Sequence, residues 1–136
     1  VPDFLKDAFK KGNRVQDILT GKMKSGKTGN QILLESLTQA RKEGLKPSIY
    51  THPLGKYGHS AGTTIGMWDS QDGVPFKGDY PLQKNTAYAI ELNTTVTLKE
   101  WNKDIRIMLE EAGFFGDDVF EYVNERQTAI KSVKIK

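Results

Sequence analysis

Ala87-Tyr88-Ala89-Ile90-Glu91-Leu92-Asn93 is the stretch on which the fold turns. In an extended chain successive side chains point to opposite faces. Tyr88, Ile90 and Leu92 therefore share one face, and Ala87, Ala89, Glu91 and Asn93 share the other. The first face is built for burial. On the second, small residues leave a hollow around one carboxylate. Asp104-Ile105-Arg106-Ile107-Met108-Leu109-Glu110 repeats the scheme, with Ile105, Ile107 and Leu109 on one face and Arg106, Met108 and Glu110 on the other. The alternation predicts strands over 87–96 and 104–112. If they are neighbours, Glu91 and Glu110 lie on one face of the sheet; Glu111 points with Leu109. The solvent face of a half-covered sheet would alternate in the same way, and only the alanines beside Glu91 favour a pocket.

Upstream the period changes. Phe4, Leu5, Ala8, Phe9, Gly12, Val15, Ile18, Leu19 and Met23 recur at three- and four-residue spacing, which predicts a helix over 3–22. Pro2 and Asp3 suit its first turn. Ile32, Leu33, Leu37 and Ala40 predict a second helix over 29–43, with Thr28 and Gln31 as a capping box, Gly44 as its stop and Pro47 beyond. A short strand is expected over 48–51, loop over 69–85, a helical turn around 117–123 and a final strand over 127–135. Two helices followed by strands give an α+β fold, with the helices packed on a mostly antiparallel sheet.

The 136 residues suffice for one domain with a core. The absence of cysteine excludes disulfides, thiolate nucleophiles and cysteine metal sites. No apolar run approaches the roughly 18 residues of a membrane span, and no leader segment is visible after Val1, so neither a membrane partner nor export is expected. The lysines are scattered at a net charge of +3, without the basic, aromatic-laced face of a nucleic-acid binder.

Chemistry concentrates in Tyr50-Thr51-His52-Pro53-Leu54-Gly55-Lys56-Tyr57-Gly58-His59-Ser60-Ala61-Gly62, which holds both histidines, seven residues apart. Small residues flank His59, so the backbone there can turn sharply and bring the imidazole to a ligand. Two other motifs compete. Gly21-Lys22-Met23-Lys24-Ser25-Gly26-Lys27-Thr28 matches the phosphate-loop pattern letter for letter, but that mechanism needs a strand before the loop, and residues 15–19 continue a helical stripe. Ser60 adjoins His59, yet nothing resembles a nucleophile elbow. Asn93-Thr94-Thr95 matches the glycosylation pattern inside a predicted strand.

The histidine stretch, with Trp68-Asp69, Gly73-Val74-Pro75, Gly78-Asp79-Tyr80-Pro81, Asn85-Thr86-Ala87-Tyr88, Ile90-Glu91-Leu92-Asn93 and Arg106-Ile107-Met108-Leu109-Glu110-Glu111, resembles the C-terminal catalytic domain of Xaa-Pro aminopeptidase-like metallopeptidases. The resemblance covers nearly the whole chain. It implies a partial pita-bread fold with a curved sheet over 1–136, a peptide substrate with proline at its second position, and two divalent ions held by two Asp, one His and two Glu. By motif position it implies His59 as the histidine ligand, Glu91 as a ligand that also shuttles a proton, and Glu110 as the bridging ligand. Manganese is the implied metal, with Co²⁺, Fe²⁺ or Zn²⁺ compatible with the same donors.

The pattern also departs from the family. The two Asp ligands lie upstream of the paired helices in that family, and no aspartate here fits them. The chain is therefore expected to be part of a longer catalytic domain, binding metal weakly and inactive alone. Many relatives carry a substrate-contacting His seven residues after the ligand His, and Gly66 stands seven residues after His59. His52, a catalytic candidate beside His59 and Glu91, is left with Trp68 and Asp69 to take up that contact. A cytoplasmic location and a homodimer are expected. The alternatives are a non-catalytic peptide- or protein-binding module of the same fold and a nucleotide binder using the glycine-lysine loop.

Overall fold

The computed structural model describes residues 1–134. Helix α1 spans Asp3–Lys22 and α2 spans Gly29–Lys42. Six strands follow: β1 Pro47–Ile49, β2 His52–Gly55, β3 Gly58–His59, β4 Thr86–Leu98, β5 Lys103–Phe115 and β6 Phe120–Tyr122. They form one sheet in the order β3-β2-β4-β5-β6, with β1 also on β4, and every pairing is antiparallel.

The helices form for the reasons their sequences give. Ala8, Phe9, Val15, Ile18 and Leu19 of α1 are buried, and Gly12 lets β5 approach so closely that a Cβ there would lie 2.7 Å from Ile107. Helix α2 is closed at its start by the reciprocal cap: Gln31 N–H donates to Thr28 Oγ1 at 3.1 Å, and Thr28 N–H donates to Gln31 Oε1 at 2.9 Å. Both helices cover one face of the β4–β5 hairpin. Tyr88, Ile90 and Leu92 are buried there with Leu109, against Leu19, Leu33 and Leu37. Among the described residues no helix lies on the other face of β4 and β5.

The C-terminal expectations need correction. Residues 117–123 do not form a helical turn: Gly116 N–H donates to Val119 O at 3.0 Å, which turns the chain back into β6 along Gly113–Phe115. Gly113 permits this, because a Cβ there would meet the Phe120 ring at 1.9 Å. The strand expected over 127–135 is absent through residue 134, and Ile135 lies outside the described residues. That tail is tied instead by side chains: Arg126 to Asp17 at 2.6 Å, and Gln127 N–H to Glu111 Oε1 at 2.9 Å.

Candidate metal centre

The site begins with strand register. His52 on β2 lies opposite Ala89 on β4, so its ring and the Glu91 carboxylate, two residues along, share a face. Ala89 is small enough to leave room between them. His52 Nε2 lies 2.7 Å from Glu91 Oε1, and its Nδ1 lies 3.0 Å from Pro53 O. Each ring nitrogen thus faces an oxygen to which it donates when it carries the proton. A metal ion held by Nε2 would take the place of a proton there.

The glycine-rich stretch after His52 is a hairpin. β2 and β3 pair Leu54 with His59 and Gly55 with Gly58, so the chain turns at Lys56-Tyr57. This folds His59 back over His52, with ring centroids 4.0 Å apart at 70°. One ligand atom each of His52, His59 and Glu91 lies within 4.8 Å of the other two. His52 is sheltered, its side chain 15% exposed, whereas His59 stands at the rim.

The cluster forms one wall of a cleft of about 910 Å³, whose other walls include Tyr50, Met67, Trp68, Lys77 and Tyr80. Trp68 and Tyr80 are 76% and 63% exposed, so their rings face the opening of the cleft. The loop behind the cleft is held by Tyr88. Burial pushes its phenol well above the ordinary value, so it stays protonated and donates to Thr63 O at 3.2 Å.

Two imidazoles and a carboxylate suit a divalent transition ion. Three protein donors also leave positions for water and substrate. The donor set therefore fits one ion. Glu110 lies directly opposite Glu91. Because Glu91 O accepts from Tyr50 N–H at 3.0 Å, on the side away from β5, the two glutamates form a non-hydrogen-bonded pair, the closer kind. Yet Glu110 is exposed and outside the cluster. Among the described residues no aspartate joins the cluster either. The structure thus brings His59, Glu91 and His52 together and leaves Glu110 across the strand. The sequence reading missed that His52, not His59, bonds Glu91; the signal lay in the spacing, since seven residues separate the two histidines. Counted from His59, the same interval ends on Gly66, where φ is +71° and a Cβ would meet Ile49 O at 2.1 Å. No side chain fits there.

The competing motifs carry no site. Gly21 and Lys22 belong to the last turn of α1, so no strand precedes the loop. The first N–H groups of α2 are already spent: Gly29 on Tyr80 O at 3.3 Å, Asn30 on Gly78 O at 2.9 Å and Gln31 on Thr28. Lys27 pairs with Glu35 at 2.6 Å. Phosphate would find the first N–H groups of α2 and the Lys27 ammonium already engaged. Asp69 is exposed and, among the described residues, Ser60 Oγ bonds neither histidine.

No protein-family model and no curated protein matches the chain by sequence. Among solved structures it is similar to the X-Pro aminopeptidase from Thermotoga maritima, with a TM-score of 0.64 at 19% identity, over 93% of this chain and 33% of that one. At that identity the likeness establishes the fold. The chain has the pita-bread-type α+β architecture of that aminopeptidase and spans a third of its length.

Proposed function

We propose that the cleft is the metal-binding wall of an aminopeptidase that cleaves the bond between an N-terminal residue and proline. The observation that carries this reading is the convergence of His52, His59 and Glu91 in the cleft, on a fold shared with an X-Pro aminopeptidase. We assign His52 the inner ligand position and His59 the outer ligand position, at the rim that faces the substrate. The contact of His52 with Glu91, its shelter and the seven-residue interval all support that order over the reverse. Manganese is the proposed metal, and a bound divalent ion would supply Lewis-acid activation of water and of the scissile carbonyl. Glu91, whose carboxylate lies beside His52 Nε2, would share the ion with His52 and take a proton from the attacking water. His59 at the rim is within reach of the substrate backbone, and Trp68 and Tyr80 flank an apolar proline ring while limiting bulk water. The second ion would draw on Glu110 and on the aspartate pair, which we assign to a longer catalytic domain containing this chain.

The test is release of the first residue from an Xaa-Pro peptide by the protein at its natural full length, loaded with Mn²⁺. Loss of turnover in His52→Ala and Glu110→Ala supports the reading; undiminished turnover in His52→Ala overturns it. The exposed Trp68 and Tyr80 favour one second reading, a peptide-binding module of the same fold. Saturable binding of the peptide without release would identify it.

A further inference from the structure

The cleft stands on two separate supports. Its metal-binding wall is carried by the sheet, on β2, β3 and β4. The lining residues Thr63, Thr64, Lys77 and Tyr80 belong to no helix or strand. Irregular backbone keeps one shape only where its polar groups are tied down.

Here the first turn of α2 ties it. Gly29 N–H donates to Tyr80 O at 3.3 Å, and Asn30 N–H donates to Gly78 O at 2.9 Å. Thr64 N–H in turn donates to Lys77 O at 3.0 Å, which joins the two lining segments. The Asn30 side chain completes the attachment. Its Nδ2 donates to Val74 O at 3.2 Å and to Asp79 Oδ1 at 2.8 Å, and its Oδ1 accepts from Val74 N–H at 2.7 Å. Asp79 extends the grip, its Oδ2 accepting from Phe76 N–H at 2.9 Å. Only an amide supplies donors and an acceptor on one short planar group. Gly78 makes room for it, because a Cβ there would strike the Asn30 amide. The loop also holds Phe76 at φ +62°, a strained conformation for a bulky residue that persists only where the surroundings impose it. Every partner named here lies within this chain.

We propose that Asn30 is a positioning residue for the peptide site. It sets where Lys77 and Tyr80 stand relative to the metal-binding wall, and so fixes the width of the cleft. Asn30 is not among the lining residues and acts only through the loop. This assignment rests on the reading of the cleft as a peptide site.

Two readouts test it. In the chain, Asn30→Ala should speed amide exchange at Val74 by about tenfold or more, while the amides of β4 stay protected. In the protein at its natural full length, loaded with Mn²⁺, the same substitution should raise KM for an Xaa-Pro peptide by about tenfold with kcat little changed, the signature of lost binding common to ground and transition states. If the peptide binds without release, Kd carries the same shift. Mn²⁺ affinity should not change, because the bonds of Asn30 go to residues 74, 78 and 79. Asn30→Asp sets two carboxylates against each other and should have the same effect. Adding Asp79→Asn returns a donor to the pair, and should recover both KM and the protection of Val74. General damage to α2 would not be recovered by a change at residue 79, so the pair keeps the proposal testable if Asn30→Ala fails to fold. Unchanged Val74 exchange in Asn30→Ala, unchanged KM beside lost Val74 protection, or no recovery in the double variant would each overturn the assignment and leave the metal-binding reading in place. A full-length protein that neither cleaves nor binds the peptide would overturn both.

Discussion

The two faces of the β4–β5 hairpin are drawn from the same residues taken alternately, and they have divided the labour. The helix-covered face holds Tyr88, Ile90, Leu92 and Leu109 and carries the stability. The open face holds Glu91, Glu110, Arg106 and Met108, with His52 and His59 brought to its rim by β2 and β3. Such a division lets the chemistry vary without cost to the core, because a change on one face does not reach the other.

The strongest way to break the comparison is Ile90→Ala. The side chain is fully buried, and its truncation is expected to cost about 3 kcal/mol in urea unfolding, within the usual range for large-to-alanine changes. Gly113→Ala should cost about 1–3 kcal/mol, by forcing the Phe120 ring away and loosening β6. Met108→Ala, on the open face, should change stability by no more than about 0.5 kcal/mol. A value near that of Ile90→Ala would mean the open face is covered.

A smaller effect lies at the end of α2 and sharpens the contrast from outside the hairpin. Arg14 donates two hydrogen bonds to the exposed Glu43 carboxylate, at 2.8 and 2.7 Å. With a further bond from Gln39, they hold that carboxyl at about 2, against an ordinary 4.5. A depressed folded value means that the contribution is present above about 4.5 and is lost as pH falls towards 2. The melting temperature should drop over that window, slightly less steeply in Arg14→Gln. Identical profiles would show that solvent screens the pair out.

Much of this was legible in the sequence, for reasons local to each element. The stripes of α1 and α2 and the Thr28–Gln31 cap are set by residues within a few positions of each other. The alternation that separates Ile90 from Glu91 needs no knowledge of the partner strand. What could not be read was register between distant segments. Only the pairing of His52 with Ala89 decides which histidine reaches Glu91. The β6 strand is three residues long and exists because Gly113 has no side chain. The tail around Ile130 and Val133 looks strand-like in composition but finds no ladder among the described residues, held instead by the pairing of Arg126 with Asp17 of α1.

The central claim is that His52, His59 and Glu91 hold a divalent ion together. Isothermal titration of the chain with Mn²⁺ and Zn²⁺ tests it most directly. The account predicts one equivalent bound, with affinity falling at least about 100-fold in His52→Ala and in Glu91→Ala while the thermal unfolding of both variants without metal stays close to that of the parent. Undiminished binding in Glu91→Ala, or none by the parent chain, would contradict it.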